Sequence, residues 1–152
     1  MTPSVVRPAR RGDLDGLVRI EEAAFQCDRL DRRNFRHAID SPTILALVVE
    51  KAGAVAGYCT VETRRRSRVA HLASVAVAPE AAGQGLGRAL LQAAERAAAA
   101  RGLAAMRLEV RADNGRAARL YETAGYRPIG REEDYYEDGG AACRYEKALL
   151  PG

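Results

Sequence analysis

The chain has no apolar run of about eighteen residues, the length a helix needs to cross a bilayer, and no basic-then-apolar leader opens it. The expectation is a soluble, cytoplasmic protein with no membrane partner. Cysteine is scarce. Cys27, Cys59 and Cys143 are odd in number, widely spaced and form no CxxC pair. That pattern excludes a disulfide or zinc framework and reads as reduced, buried thiols. Histidine is scarcer still: with only His37 and His71, metal ligation has little to build on, and no metal is expected. Lysine is reduced to Lys51 and Lys147, so the net charge of +4 is carried almost wholly by arginine. So modest an excess suits an anionic ligand without demanding nucleic acid. The densest basic cluster, Arg64-Arg65-Arg66-Ser67-Arg68, has no interleaved aromatic residue and no accompanying RNA- or DNA-binding motif. It reads as a solvated hairpin turn, and no nucleic-acid partner is expected.

What is present is an ordinary globular composition, 47% apolar and 29% charged over 152 residues. That length supports one domain with a proper core, taken as residues 1–152. Ser4–Arg7 predicts a first strand. A helix follows from Asp13, with Leu14, Leu17, Val18, Ile20 and Ala24 at helical spacing, and a second covers Asp31 to Ile39. Ile44–Glu50 and Val55–Thr63 predict strands joined in a hairpin by Lys51-Ala52-Gly53-Ala54. Val69–Val77 is the next strand. Leu86, Ala89, Leu90, Ala93, Ala94 and Ala97 then mark a helix that Gly102 ends. Met106, Leu108 and Val110 alternate with Arg107, Glu109 and Arg111, a strand period. Asp113 or Asn114 caps a last helix through Ala124. Two strands, Tyr126–Tyr135 and Ala142–Leu149, flank an acidic loop. The order β-α-α-β-β-β-α-β-α-β-β is a mixed α/β domain with hairpins on either side of a β-α-β crossover.

The richest stretch joins strand, glycine turn and helix: Ser74-Val75-Ala76-Val77-Ala78-Pro79-Glu80-Ala81-Ala82-Gly83-Gln84-Gly85-Leu86-Gly87-Arg88. Glycines at 83, 85 and 87 leave backbone N–H groups bare at the positive end of a helix dipole, which makes an anion site. Two common phosphate motifs do not fit. A P-loop needs Lys and Ser/Thr after its last glycine, and here Arg88-Ala89 follow Gly87. The dinucleotide fingerprint needs a third glycine that falls on Leu86, Arg88 or Leu90, and a tighter turn than Pro79 permits.

Ala82-Gly83-Gln84-Gly85-Leu86-Gly87 resembles instead the (Q/R)xxGx(G/A) pyrophosphate motif of the GNAT superfamily of acyl-CoA-dependent N-acetyltransferases. Leu108-Glu109-Val110-Arg111-Ala112-Asp113-Asn114, Leu120-Tyr121-Glu122, Gly125-Tyr126 and the pair Tyr135-Tyr136 extend the likeness over nearly the whole chain. These segments are most similar to the branch that acetylates ribosomal-protein alanine. The resemblance implies a GNAT fold, with a central mixed sheet of about seven strands flanked by about four helices. It implies acetyl-CoA as co-substrate and an amine acceptor, most readily a protein N-terminal α-amine, with a lysine or small amine next. Ala82 departs from the family's Gln or Arg, which implies weaker coenzyme binding rather than none.

Roles carried by the resemblance are as follows. The N–H groups of Gly83, Gln84, Gly85, Leu86, Gly87 and Arg88 hold the pyrophosphate. The main chain of Val75, Ala76 and Val77 pairs with the pantetheine arm, and an N–H near Val77 faces the thioester oxygen. Asn114 touches the same arm. Glu109 is the general base, acting through a water, and Tyr121 is the general acid. Read without the family, Glu109 is an outward strand carboxylate paired with Arg107 or Arg111, Tyr121 a core tyrosine, and Asn114 a helix cap. The acidic residues around Tyr135-Tyr136 are either a solvated loop or a groove wall that attracts amines. A catalytically idle acyl-CoA sensor is the rival from outside the enzyme class. Monomer and homodimer both stay open.

Overall fold

Apolar runs carrying β-branched residues make Ile44–Lys51 (β2) and Ala54–Glu62 (β3) strands, and two residues suffice to join them. Both turn residues take positive φ, Ala52 at 55° and Gly53 at 81°, the handedness that follows strand twist in a tight hairpin. The computed structural model describes residues 4–25 and 29–149. Ser4–Pro8 (β1) pairs with the free edge of β2, and Val69–Val77 (β4) pairs with β3, all antiparallel.

Across the sheet, Ala105–Arg111 (β5) lies parallel to β4, and Ala142–Ala148 (β7) lies between β5 and Arg127–Glu132 (β6). The seven-stranded order is β1-β2-β3-β4-β5-β7-β6. With helices Leu14–Ala24 (α1), Arg32–Asp40 (α2), Leu86–Ala100 (α3) and Gly115–Thr123 (α4), this is the expected mixed α/β architecture.

Strand alternation assigns the helices to faces. Tyr58 of β3 meets Phe35 of α2 edge-on, with ring centroids 5.1 Å apart, and its hydroxyl donates to Glu21 of α1. The next residue, Cys59, turns the other way, its Sγ 4.0 Å from the Leu90 carbonyl of α3. The stripe that α3 buries is Leu86, Leu90, Leu91, Ala94 and Ala98; Leu91 and Ala98 lie deeper than the expected Ala89, Ala93 and Ala97, which are half-buried. Gly102, at φ 84°, lets its own N–H reach Ala99 O (2.9 Å) and that of Leu103 reach Ala98 O (3.1 Å). That closes α3 as predicted.

Four details sharpen or correct the expectation. β6 stops at Glu132 rather than Tyr135, because Asp134 takes φ 56° and the N–H groups of Tyr135 and Tyr136 turn back onto Gly140 O. Of the two expected candidates, Asn114 is the one that caps α4: its side chain accepts from Ala117 N at 3.1 Å. Asp13 begins α1 but caps no N–H within it; its carboxylate accepts from Arg10 N and from both Nη atoms of Arg7. Of the cysteines, Cys59 is fully buried and Cys143 only half-buried, while Cys27 lies outside the described residues. No helix among the described residues is long and apolar enough to cross a membrane.

Candidate active site

The site begins where two neighbouring strands part. β4 and β5 pair only over Val69–His71 with Ala105–Arg107. Thr60 and Val61 of β3 sit opposite Ser74 and Leu72, which leaves Ala73 as an extra residue, a β-bulge that re-aims β4. Beyond it, the β5-facing edge of Ser74–Val77 has no ladder partner among the described residues. A cavity of about 270 Å³ opens in the gap, lined by Ser74 and Val75 of β4, Glu109 and Val110 of β5, Tyr121 of α4 and Glu21 of α1. An open strand edge beside a cavity suits a peptide-like chain that adds as another strand.

The glycine turn lies at the C-terminal end of the same strand. Gly83 and Gly85 take φ 78° and 77°, a conformation that glycine adopts without strain, and nothing lies within 4 Å of where their Cβ atoms would be. Gly85 is the N-cap of α3, whose fifteen residues start at Leu86. The first-turn N–H groups of that helix lack intrahelical acceptors and, with the dipole, favour an anion in the open space. Leu86 and Ala76 bury their side chains in the core, leaving only their backbone to serve a ligand. Gln84 accepts a hydrogen bond from Lys51 Nζ of the β2–β3 turn. A Cβ at Gly87 would meet Leu120 and Val77 at 3.9 Å, ordinary contact.

Glu109 is held from three sides. His71 Nε2 lies 2.6 Å from Oε1, the Tyr135 hydroxyl donates to Oε1 at 3.3 Å, and Arg144 Nη1 donates to Oε2 at 3.2 Å. Only 10% of its side chain is exposed. Burial works to raise this carboxyl, yet the bond to His71 and the charges of His71 and Arg144 outweigh it and hold it below its ordinary range. His71 moves the opposite way, raised by the same bond against the opposing effect of burial. The arginines on Glu109's own strand are engaged elsewhere, Arg107 with Glu146 at 2.6 Å and Arg111 with Asp138 at 3.0 Å. A second cavity of about 310 Å³ borders Glu109, lined also by Glu62, Arg64, His71, Tyr135 and Arg144. Tyr121 lines the first cavity, its ring edge-on to Tyr126 with centroids 5.8 Å apart, and burial pushes its phenol up to about 12.

Residues 14–126 match the family described as the Acetyltransferase (GNAT) family. The chain belongs to the GNAT acetyltransferase family. It is an acetyl-CoA-dependent N-acetyltransferase. The chain is 32% identical over 139 residues to a Bacillus subtilis (strain 168) protein provisionally named a ribosomal protein bS18-alanine N-acetyltransferase, with 91% of each chain covered. It superposes at a TM-score of 0.87 on the crystal structure of the ribosomal-protein-S18-alanine N-acetyltransferase from Escherichia coli, at 27% identity, covering 99% of this chain and 97% of that one. A Salmonella typhimurium protein solved with its cofactor acetyl-CoA shares the fold at a TM-score of 0.85 and 22% identity, covering 99% and 96%.

The open glycine turn and the unladdered edge of β4 are a pair of features that fit acetyl-CoA: backbone donors for a pyrophosphate and a strand edge for a peptide-like arm. Of the residues read from the GNAT resemblance, Val75, Glu109, Asn114 and Tyr121 line the first cavity together. Val77 continues the β4 edge, and Gly83 to Arg88 form the turn at the start of α3. Two partners of Glu109, His71 and Arg144, had no place in the sequence reading. For His71 the one available signal was the expected β-α-β crossover, which sets its strand beside that of Glu109; Arg144 had none. The acidic loop is also less free than its composition suggests. Glu132 pairs with Arg144, Glu133 with Arg131 and Asp138 with Arg111. The loop's two tyrosines divide between the cavities, Tyr136 in the first and Tyr135 in the second.

Proposed function

We propose that this GNAT enzyme acetylates the N-terminal α-amine of a protein, with a ribosomal protein as the acceptor class. The names of its Bacillus and Escherichia relatives support the acceptor, and the compartment in which ribosomal proteins are made, the cytoplasm, would be its own. One N-acetyltransferase domain over residues 1–152 suffices for this role. The observation that carries the reading is the convergence of Glu109 and Tyr121 on one cavity at the β4–β5 split. When bound, acetyl-CoA supplies the activated acetyl thioester. The N–H groups of Gly83 to Arg88 would hold its pyrophosphate, the main chain of Val75, Ala76 and Val77 its arm, and an N–H near Val77 its thioester oxygen, with Asn114 beside the arm.

Glu109 is the group that takes a proton from the acceptor ammonium, directly or through a water. An α-amine with a pKa near 8 is about one-tenth neutral at pH 7, whereas a lysine amine near 10.4 is neutral in well under one molecule in a thousand. An ionised, depressed carboxylate is a weak base, so it suits the easier substrate. Tyr121 stays protonated at neutral pH and so presents a hydrogen-bond donor to a sulfur that is becoming a thiolate. The test is thiol release with acetyl-CoA against alanine-starting peptides, lysine peptides and small amines. Fastest turnover with the free α-amine supports the reading; a small amine turned over fastest would replace it.

A further inference from the structure

Glu109 lines both cavities, whereas Tyr121 lines only the first and His71 only the second. We propose that His71 is a positioning and proton-exit residue, which carries the acceptor's proton away through the second cavity. Its neutral ring, with the proton on Nδ1, presents Nε2 as acceptor to Glu109 Oε1 once that carboxyl is protonated. The inference rests on Glu109 being the base, and it answers a difficulty in that reading. A carboxylate held by Arg144 and His71 accepts a proton reluctantly and keeps it only if the proton moves on.

The geometry supplies the route. An N–H bond of the ammonium breaks and an O–H bond forms on Glu109. That proton then crosses the 2.6 Å to His71 Nε2, while Nδ1 releases its own proton towards Glu62 Oε1, 3.4 Å away, or to water in the open cavity. One proton enters and one leaves, and the ring's return to its first tautomer resets the pair. Glu109 and Glu62 are each within hydrogen-bonding reach of one ring nitrogen, and 38% of the His71 side chain is exposed, so the relay ends in solvent.

The groups that face His71 or share its cavity are Glu62 from β3, Arg64 from the turn after it, Glu109 and Arg107 from β5, Arg144 from β7 and Tyr135 from the loop before it. The two carboxylates that bond it raise its titration above the ordinary 6.5. The relay starts from the neutral ring, so turnover should climb as pH rises through that raised value.

The test uses His71→Ala and His71→Gln beside Glu109→Gln, with acetyl-CoA affinity as the check on folding. In His71→Ala, kcat should fall about tenfold or more with acetyl-CoA affinity kept. Added imidazole, which fits the space opened in the second cavity, should restore turnover in proportion to its concentration. His71→Gln keeps a polar group beside Glu109 but cannot relay, so it should stay slow at neutral pH and lose the limb that follows the His71 titration. Only the later rise, as the acceptor amine deprotonates itself, should remain. Wild-type turnover in His71→Ala, or full recovery in His71→Gln with the limb unchanged, overturns the inference even when Glu109→Gln is inactive. An active Glu109→Gln would instead remove the base assignment and this inference with it. Should His71→Ala fail to bind acetyl-CoA, the pH profile of His71→Gln decides alone: a lost limb supports the relay, an unchanged one overturns it.

Discussion

Gly85→Asp separates coenzyme binding from folding. Nothing lies within 4 Å of a Cβ at this position, so the side chain starts into open space. The residue's φ of 77° is left-handed, a conformation that costs most L-residues about 1–2 kcal/mol and aspartate less. An acidic N-cap regains about 0.3–1 kcal/mol from the dipole of α3. The fold should therefore survive with a small shift in Tm. Binding should not. Two like unit charges about 6 Å apart near a protein surface repel by about 3 kcal/mol at an effective dielectric of ~20. That is a factor of about 100 in affinity for a ligand carrying pyrophosphate. Gly85→Asn is the matched control, with the same backbone strain and shape but no charge. Calorimetry with CoA should show a Kd raised about 100-fold in Gly85→Asp and only a few-fold in Gly85→Asn, and the gap should narrow as salt rises. Equal affinity in the aspartate variant and wild type, with both folded, would remove the pyrophosphate from this turn.

Two further outcomes follow from the same geometry. Glu109→Gln should lower kcat by about 10²-fold with acetyl-CoA affinity unchanged, and the deficit should ease at high pH as the amine deprotonates itself, whereas Tyr121→Phe should lose turnover without alkaline recovery; a pH series of initial rates on both distinguishes base and acid from structural roles. Asp13, held below the ordinary carboxylate range chiefly by its bonds to Arg7, adds stability above its unfolded pKa near 3.9 and loses it as pH falls through the lower folded value. Asp13→Asn should therefore destabilise by about 1–3 kcal/mol at pH 7 and by much less near pH 2, as thermal melts at the two pH values would reveal.

The strands and helices were legible because their signals are local: β5 alternates, α1 and α3 carry apolar stripes, and β2 and β3 are apolar runs on either side of a short hairpin turn. The glycine turn could be read as a candidate anion site because bare N–H groups and a helix start are local properties. Glu109 was not legible on spacing alone, where a strand carboxylate paired with Arg107 or Arg111 was the favoured reading; the family resemblance singled it out. Its actual partners could not be read, because His71 and Arg144 lie 38 and 35 residues away and meet it only through strand order and register. The insertion of β7 between β5 and β6 sets Arg144 opposite Glu109, and that pairing has no short-range signal. The same holds for Tyr135, which the positive φ of Asp134 lifts out of the expected strand.

The most direct test of the central claim is the position of the acetyl group on an acceptor offering both amines. An alanine-starting peptide with one internal lysine is incubated with the enzyme and acetyl-CoA, beside the same peptide with its N-terminus blocked, and both are read by fragment mass spectrometry. Acetylation on the α-nitrogen of the free peptide, no modification of the blocked one, and loss of the signal with Glu109→Gln are the predicted results. Modification of the lysine in both peptides at equal rates would contradict the account.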